Sequence, residues 1–265
     1  MVSADEVLAL RKELDAKTEG RDLFIHAHEF YEVGLHRFFL RQKLLRSYEN
    51  IFGEKYKLSF GGTLHHENYG VYLRNGKVIP GVHVDSDYQY FKKDIDLLRA
   101  NYLLAKLGIF LQDSREEVNI LVIPFSHILL RFLGKLKLQK ALLVIVRFSQ
   151  YLLSFKSMQR LFRPKIESGD AVLFDCLTLH ASDTGRTKHT PRKYVMYTEV
   201  GNVMSLNNFY SKTVTPRARN ELNVDSEDQK FERDPMRYTK QLDVARHEYK
   251  NLIKSDHIKF FHTLR

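Results

Sequence analysis

Apolar positions over the first 55 residues recur mostly three and four apart, the spacing of helices laid against another layer. Val7, Leu8 and Leu10 make a short amphipathic element, and Ser3 followed by Glu6 predicts a capping box at its start. A longer helix is predicted from about Arg21 towards Asn50, with Leu23, Phe24, His28, Tyr31, Leu35, Phe38, Phe39 and Leu45 on its stripe. From about Gly61 the runs shorten and turn residues separate them. Residues 69–73 and 78–84 flank Asn75-Gly76, which predicts a hairpin. After a helical or irregular stretch over 91–103, further strands are expected at 107–111, 120–123, 171–174 and 194–200, the third entered through a tight turn at Gly169-Asp170. Short strands without alternating helices predict a sandwich or barrel rather than a doubly wound sheet.

Charge adds a second pattern. Residues 118–166 contain no Asp or Glu but carry Arg131, Lys135, Lys137, Lys140, Arg147, Lys156, Arg160, Arg163 and Lys165, and a helix is expected over 135–155. Such an island reads as a solvated surface, a lid steering an anionic substrate, or a contact for anionic lipid. From about Ser211 acidic residues return, with a helix predicted over 238–253. The chain of 265 residues has a net charge of +10 with 43% apolar residues, enough for one sizeable core and too apolar for a disordered tail. The single Cys176, in an apolar run, predicts a buried thiol and a reducing compartment, the cytoplasm. The beginning has no signal-peptide pattern, HTLR matches no lipidation signal, and the longest apolar run, 141–146, is too short to span a bilayer.

His83 and Asp85 stand two apart in the run GVHVD. On a strand both side chains leave one face, close enough to grip a single metal ion. Asp87 shares that parity and is the alternative carboxylate. His180, in GDAVLFDCLTLHAS, is expected where the strand beginning at Ala171 ends. Two imidazoles and one carboxylate on one side of an octahedral metal form the facial triad of non-haem Fe(II) oxygenases, although Zn²⁺ or Mn²⁺ suits the same ligands. Arg192 opens the run RKYVMYTEV and offers a rigid charged fork to a carboxylate. Ser182 either donates a hydroxyl to the same anion or caps a local turn.

The segments GVHVDSDYQYF, NILVIPFSH and SGDAVLFDCLTLHASDTGRTKHTPRKYVMYTEV resemble those of the phytanoyl-CoA dioxygenase family of Fe(II)- and 2-oxoglutarate-dependent oxygenases, over roughly residues 60–200. The resemblance implies a mostly β chain with flanking helices, built on a double-stranded β-helix, a distorted and cupin-like jelly roll. It divides a single oxygenase domain, 1–265, into an N-terminal helical flank 1–55, a core of about 60–200 holding a basic insertion 128–165, and a partly helical tail 201–265. It further implies Fe(II) held by His83, Asp85 and His180, with Arg192 and Ser182 holding the far carboxylate of 2-oxoglutarate and O₂ as the other cosubstrate. The reaction implied is hydroxylation of an unactivated C–H bond in a small organic substrate, anionic or lipid-like, with release of succinate and CO₂. Related halogenating enzymes carry a small residue in place of the carboxylate, so Asp85 points to hydroxylation.

Two other readings compete. One is a non-catalytic metal- or ligand-binding β-sandwich module. The other is a nucleic-acid demethylating oxygenase, which the chain fits poorly: Arg186 follows His180 too early for that group's paired arginines, and no groove-reading helix or aromatic platform accompanies it. Nucleic acid is therefore not the expected partner, whereas peripheral membrane contact stays open. The Ser126-His127 pair lacks a nucleophile elbow and does not support hydrolysis. His65, His66 and His127 read as surface or turn residues, and Tyr88 and Tyr90 as candidate pocket walls.

Overall fold

The computed structural model describes residues 2–18, 35–52, 56–59, 63–65, 71–74, 77–85, 103–112, 120–136, 138–183, 194–202, 205 and 258–259. They fall into two compact units, Met1–Ile25 with Thr63–Asn101 and Ala105–Tyr197, and His26–Gly62 with Tyr102–Leu104 and Thr198–Arg265.

The first unit begins with helix α1 (Ala4–Thr18), whose start is the expected capping box: the Ser3 N–H donates to Glu6 Oε2 at 2.9 Å, and the Glu6 N–H donates to Ser3 Oγ at 3.3 Å. Its buried stripe is Val7, Leu10 and Leu14, three and four apart, while Leu8 faces solvent and drops out of the predicted face. Strands β3 (Val71–Arg74) and β4 (Lys77–Pro80) pair antiparallel with Arg74 opposite Lys77, the pairing expected of the predicted hairpin. Strand β4 ends at Pro80, sooner than the expected residue 84.

The large sheet of this unit runs in the order β2 (Thr63–His65), β9 (Val195–Gly201), β5 (Leu104–Phe110), β7 (Ala171–Asp175). Thr63 lies opposite Tyr197, and Lys106 opposite Phe174, in antiparallel register. A smaller sheet pairs β6 (Ile120–Val122) antiparallel with β8 (His180–Ser182), and His83 adds an antiparallel bridge to His180. Apart from β3 and β4, which form a separate two-stranded sheet, the chain from β2 to β9 passes alternately between the large sheet and the small one, resembling the winding of a distorted jelly roll. No closed barrel forms among the described residues. Phe110, Ile120, Ile166, Phe174, Val195 and Tyr197 fill the core. Gly108 admits the Tyr197 ring, since a Cβ there would lie 2.7 Å from Tyr197 Cε1.

Helices α3 (Ser126–Lys135), α4 (Gln139–Leu153) and α5 (Lys156–Phe162) fill the acid-free insertion, so the helix expected over 135–155 forms as α4, within those bounds, with a further helix on either side. With the other helices they hold more described residues than the strands do. The jelly-roll-like sheets thus carry a larger helical jacket than the mostly β expectation.

The second unit contains a 3₁₀ helix (Leu35–Leu40) and α2 (Gln42–Phe52), which bury Phe38, Phe39, Leu44, Leu45 and Tyr48. The long predicted helix is therefore interrupted near Arg41, whose carbonyl accepts the N–H groups of Leu44 and Leu45 as α2 starts afresh. Strand β1 (Lys57–Ser59) pairs antiparallel with residues 200–201 and parallel with β10 (Ile258–Lys259). The helix expected over 238–253 lies outside the described residues.

Candidate metal centre

The two metal-ligating segments meet through their backbones. The His83 N–H donates to the His180 carbonyl at 2.9 Å and the His180 N–H returns a bond to the His83 carbonyl at 3.0 Å. A directly opposed, hydrogen-bonded pair turns both side chains to the same face, and the imidazole centroids lie 4.3 Å apart. Asp85 follows two residues on, its N–H donating to the Cys176 carbonyl at 3.1 Å. That bond ties Asp85 to the turn between β7 and β8. His180 was expected where the strand of Ala171 ends. In fact β7 stops at Asp175, a turn reverses the chain, and His180 opens a separate strand in the other sheet.

One ligand atom from each of His83, Asp85 and His180 lies within 4.8 Å of the others. His83 Nδ1 bonds the Gly81 carbonyl at 2.7 Å, and His180 Nδ1 bonds the Thr178 carbonyl at 2.9 Å. Because a carbonyl only accepts, each Nδ1 carries the proton and each Nε2 holds the lone pair. Such backbone partners are what orients a metal-ligating imidazole. Phe174, with its ring centroid 4.8 Å from that of His180, limits ring rotation further.

The Asp85 carboxylate is divided between two tasks. Oδ1 accepts from Lys106 Nζ at 2.7 Å, while Oδ2 is buried with no hydrogen-bond partner and lies 3.6 Å from His180 Nε2. Burial alone would raise the Asp85 pKa, but the Lys106 ammonium, with His180 and His83, overrides it and holds the carboxyl at about 2. Burial pushes His180 down to about 3, assisted by the His83 and Lys106 charges and opposed by Asp85. At neutral pH the site therefore presents an ionised carboxylate and a neutral imidazole, the forms that bind a divalent metal. An orphaned buried carboxylate oxygen beside two imidazole nitrogens fits a cation of the Fe(II), Mn(II) or Zn(II) class.

Of the remaining predicted residues, Ser182 lies buried on β8 with the face parity of His180. Arg192, Arg186, Asp87, Tyr88, Tyr90 and His66 lie outside the described residues. His65 is placed on β2 opposite Val195. His127 opens α3 half-buried, with Nδ1 enclosed and lacking a hydrogen-bond partner. Cys176 is buried, as predicted.

Sequence reasoning missed the part that four side chains play in building the site. Lys106 is the lone charge in the apolar run LLAKLGIF, a pattern that could have flagged it. Gln150 of α4 accepts the Val82 N–H through Oε1 at 2.8 Å and donates through Nε2 to the Pro80 carbonyl, clamping the backbone that leads into His83. Ser126 Oγ accepts the Leu179 N–H at 2.8 Å, next to His180, and Arg131 pairs with Asp175 at 2.5 Å at the start of the same turn.

No family model matches the chain, and no curated protein matches it. Among solved structures it is similar to EctD from S. alaskensis in three crystal structures, with 2-oxoglutarate and 5-hydroxyectoine, with bound Fe, and as the apoform. The TM-scores are 0.47, 0.46 and 0.45, at 15% identity over 77% of this chain and 71% of that one.

Proposed function

We propose that the protein is an Fe(II)- and 2-oxoglutarate-dependent dioxygenase that hydroxylates an unactivated C–H bond of a small organic substrate. The observation that carries this reading is the convergence of His83, Asp85 and His180 within 4.8 Å, with Asp85 Oδ2 buried beside His180 and lacking a hydrogen-bond partner. These residues would hold iron on one face. Iron with 2-oxoglutarate and O₂ supplies the oxidising power, with CO₂ and succinate leaving.

The chain's own residues prepare that chemistry. Lys106 keeps Asp85 ionised, burial keeps His180 neutral, and the Gly81 and Thr178 carbonyls hold both imidazoles in one tautomer. The apolar cluster around Phe110, Phe174 and Tyr197 excludes water from one side of the site. In this reading Ser182 and Arg192 anchor the far carboxylate of 2-oxoglutarate, Arg192 on the strength of its sequence position. The whole chain acts as one oxygenase domain.

The test is iron-dependent conversion of 2-oxoglutarate to succinate by the purified chain. Asp85→Ala is expected to abolish it and to weaken Co(II) binding by about 100-fold or more, since even outer partners of metal ligands are worth 10–100-fold. Metal binding without succinate formation would move the protein to the non-catalytic binding class, and turnover unchanged by Asp85→Ala would remove that residue from the site.

A further inference from the structure

The helical insertion wears its apolar residues on the outside. On α3 and the residue after it, Ile128, Leu129, Phe132 and Leu136 are 44–57% exposed, on the side opposite buried Ser126, Leu130 and Gly134. On α4 and its end, Val144, Phe148, Tyr151 and Phe155 are 46–66% exposed, opposite buried Leu142, Val146, Ser149 and Leu153. A surface helix of a soluble domain ordinarily has one apolar stripe and turns it inward. Each of these neighbouring helices has a second stripe turned outward. Phe125, just before α3, is 74% exposed and held at φ 62°, a strained conformation for a residue with a Cβ that no packing repays.

The charge of the same segment has one sign. Residues 118–166 lack Asp and Glu, and Arg147, Lys156, Arg160 and Lys165 are exposed. We infer that α3, α4 and α5 seat the protein on an anionic lipid surface, lying in its interfacial plane. Outward apolar stripes beside exposed cations match that chemistry on both counts. A second copy of this chain, with its net charge of +10, would bring like charge against like. Among the described residues no single helix is long and apolar enough to cross a membrane, and the pair Ala141–Leu153 and Lys156–Phe162 is bent by 109°.

The insertion is also built into the metal centre. Ser126 and Arg131 of α3 hold the turn that leads to His180, and Gln150 of α4 holds the backbone before His83. On the oxygenase reading, on which this step alone rests, the substrate is drawn from the lipid surface.

Flotation of the full chain with phosphatidylcholine vesicles, and with vesicles that also contain phosphatidylglycerol, tests the seat. The chain is expected to float with the anionic vesicles about tenfold or more better than with the neutral ones, and to be released by salt. Phe148→Glu combined with Tyr151→Glu should abolish flotation while melting like the wild type, because both side chains are exposed. Arg147→Glu should weaken it about fivefold or more, on anionic vesicles only. Phe125→Gly should raise the melting temperature and lower flotation together. Absence of flotation on either vesicle, or flotation unchanged by the double variant, overturns the proposal. A dimer in sedimentation that the double variant dissolves also overturns it, because the face would then be a self-interface. Succinate formation with and without vesicles reads the substrate step separately: flotation without succinate supports the seat and sinks the oxygenase reading.

Discussion

At Asp85 two demands meet on one carboxylate, because Oδ1 is held by Lys106 at 2.7 Å and Oδ2 is left to face the imidazoles. Lys106 and Asp85 are 13% and 7% exposed, so this is a buried ion pair, and removing one partner of such a pair typically costs about 3–5 kcal/mol. Lys106→Met is therefore expected to lower the metal-free protein's unfolding free energy by about 3 kcal/mol in urea. Added Mn(II) should recover more stability in the variant than in the wild type, since a dication replaces the missing ammonium beside Asp85. Equal Mn(II) stabilisation of both proteins would show that Asp85 does not face the metal. The triad itself was legible in the chain as types and spacing, whereas the partner of Lys106 was not. A lysine in an apolar strand stands out in the sequence, but only the fold brings it to 2.7 Å from a carboxylate 21 residues earlier in the chain.

Elements carry the next level of order. Local chemistry predicted those whose signals are local: the Ser3–Glu6 capping box and the antiparallel pairing of β3 with β4 both form where expected. Strand β8 was hidden, because three residues cannot show a period and their partner β6 lies about 60 positions earlier. The strand predicted over 171–174 forms as β7, but His180 was placed at its end, and the turn after Asp175, where the Asp175 carboxylate accepts the Leu177 N–H at 2.8 Å, separates the two. The same limit concealed the service that α4 gives to the metal centre. Gln150→Leu would leave the Val82 N–H and Pro80 carbonyl without their partner, at about 1–3 kcal/mol for each group that stays buried. The expected result is a lower melting temperature and Co(II) binding weakened by about tenfold, followed in the cobalt absorption spectrum. Co(II) affinity equal to wild type would limit Gln150 to a packing role.

For the whole molecule, buried titratable groups set the pH limits of stability. His180, held at about 3 against an ordinary 6.5, stays neutral in the fold while the unfolded chain takes up a proton. Its contribution is fully present above 6.5 and is lost as pH falls towards 3, at up to about 1.4 kcal/mol per pH unit. Asp85 adds a loss between its ordinary 3.8 and about 2. In the second unit, burial raises Tyr48 well above its ordinary value and Tyr56 to about 12, with Glu49 adding to the latter. Their contribution is intact below 10 and disappears as pH climbs through that range. Urea midpoints across pH should therefore fall on both sides, and His180→Asn should flatten the acid limb alone. An acid limb unchanged in that variant would remove His180 as its cause. By itself the sequence determined which side chains offer metal-binding chemistry, where the local turns and caps lie, and that one long segment carries a single sign of charge. Those properties belong to residue types and to neighbours within a few positions. Only the tertiary structure decided that His180 opens its own strand against His83, that Lys106 pairs with Asp85, and that the insertion turns apolar stripes outward. Each depends on segments tens of residues apart being brought together, and on which face of a helix the remaining core leaves uncovered.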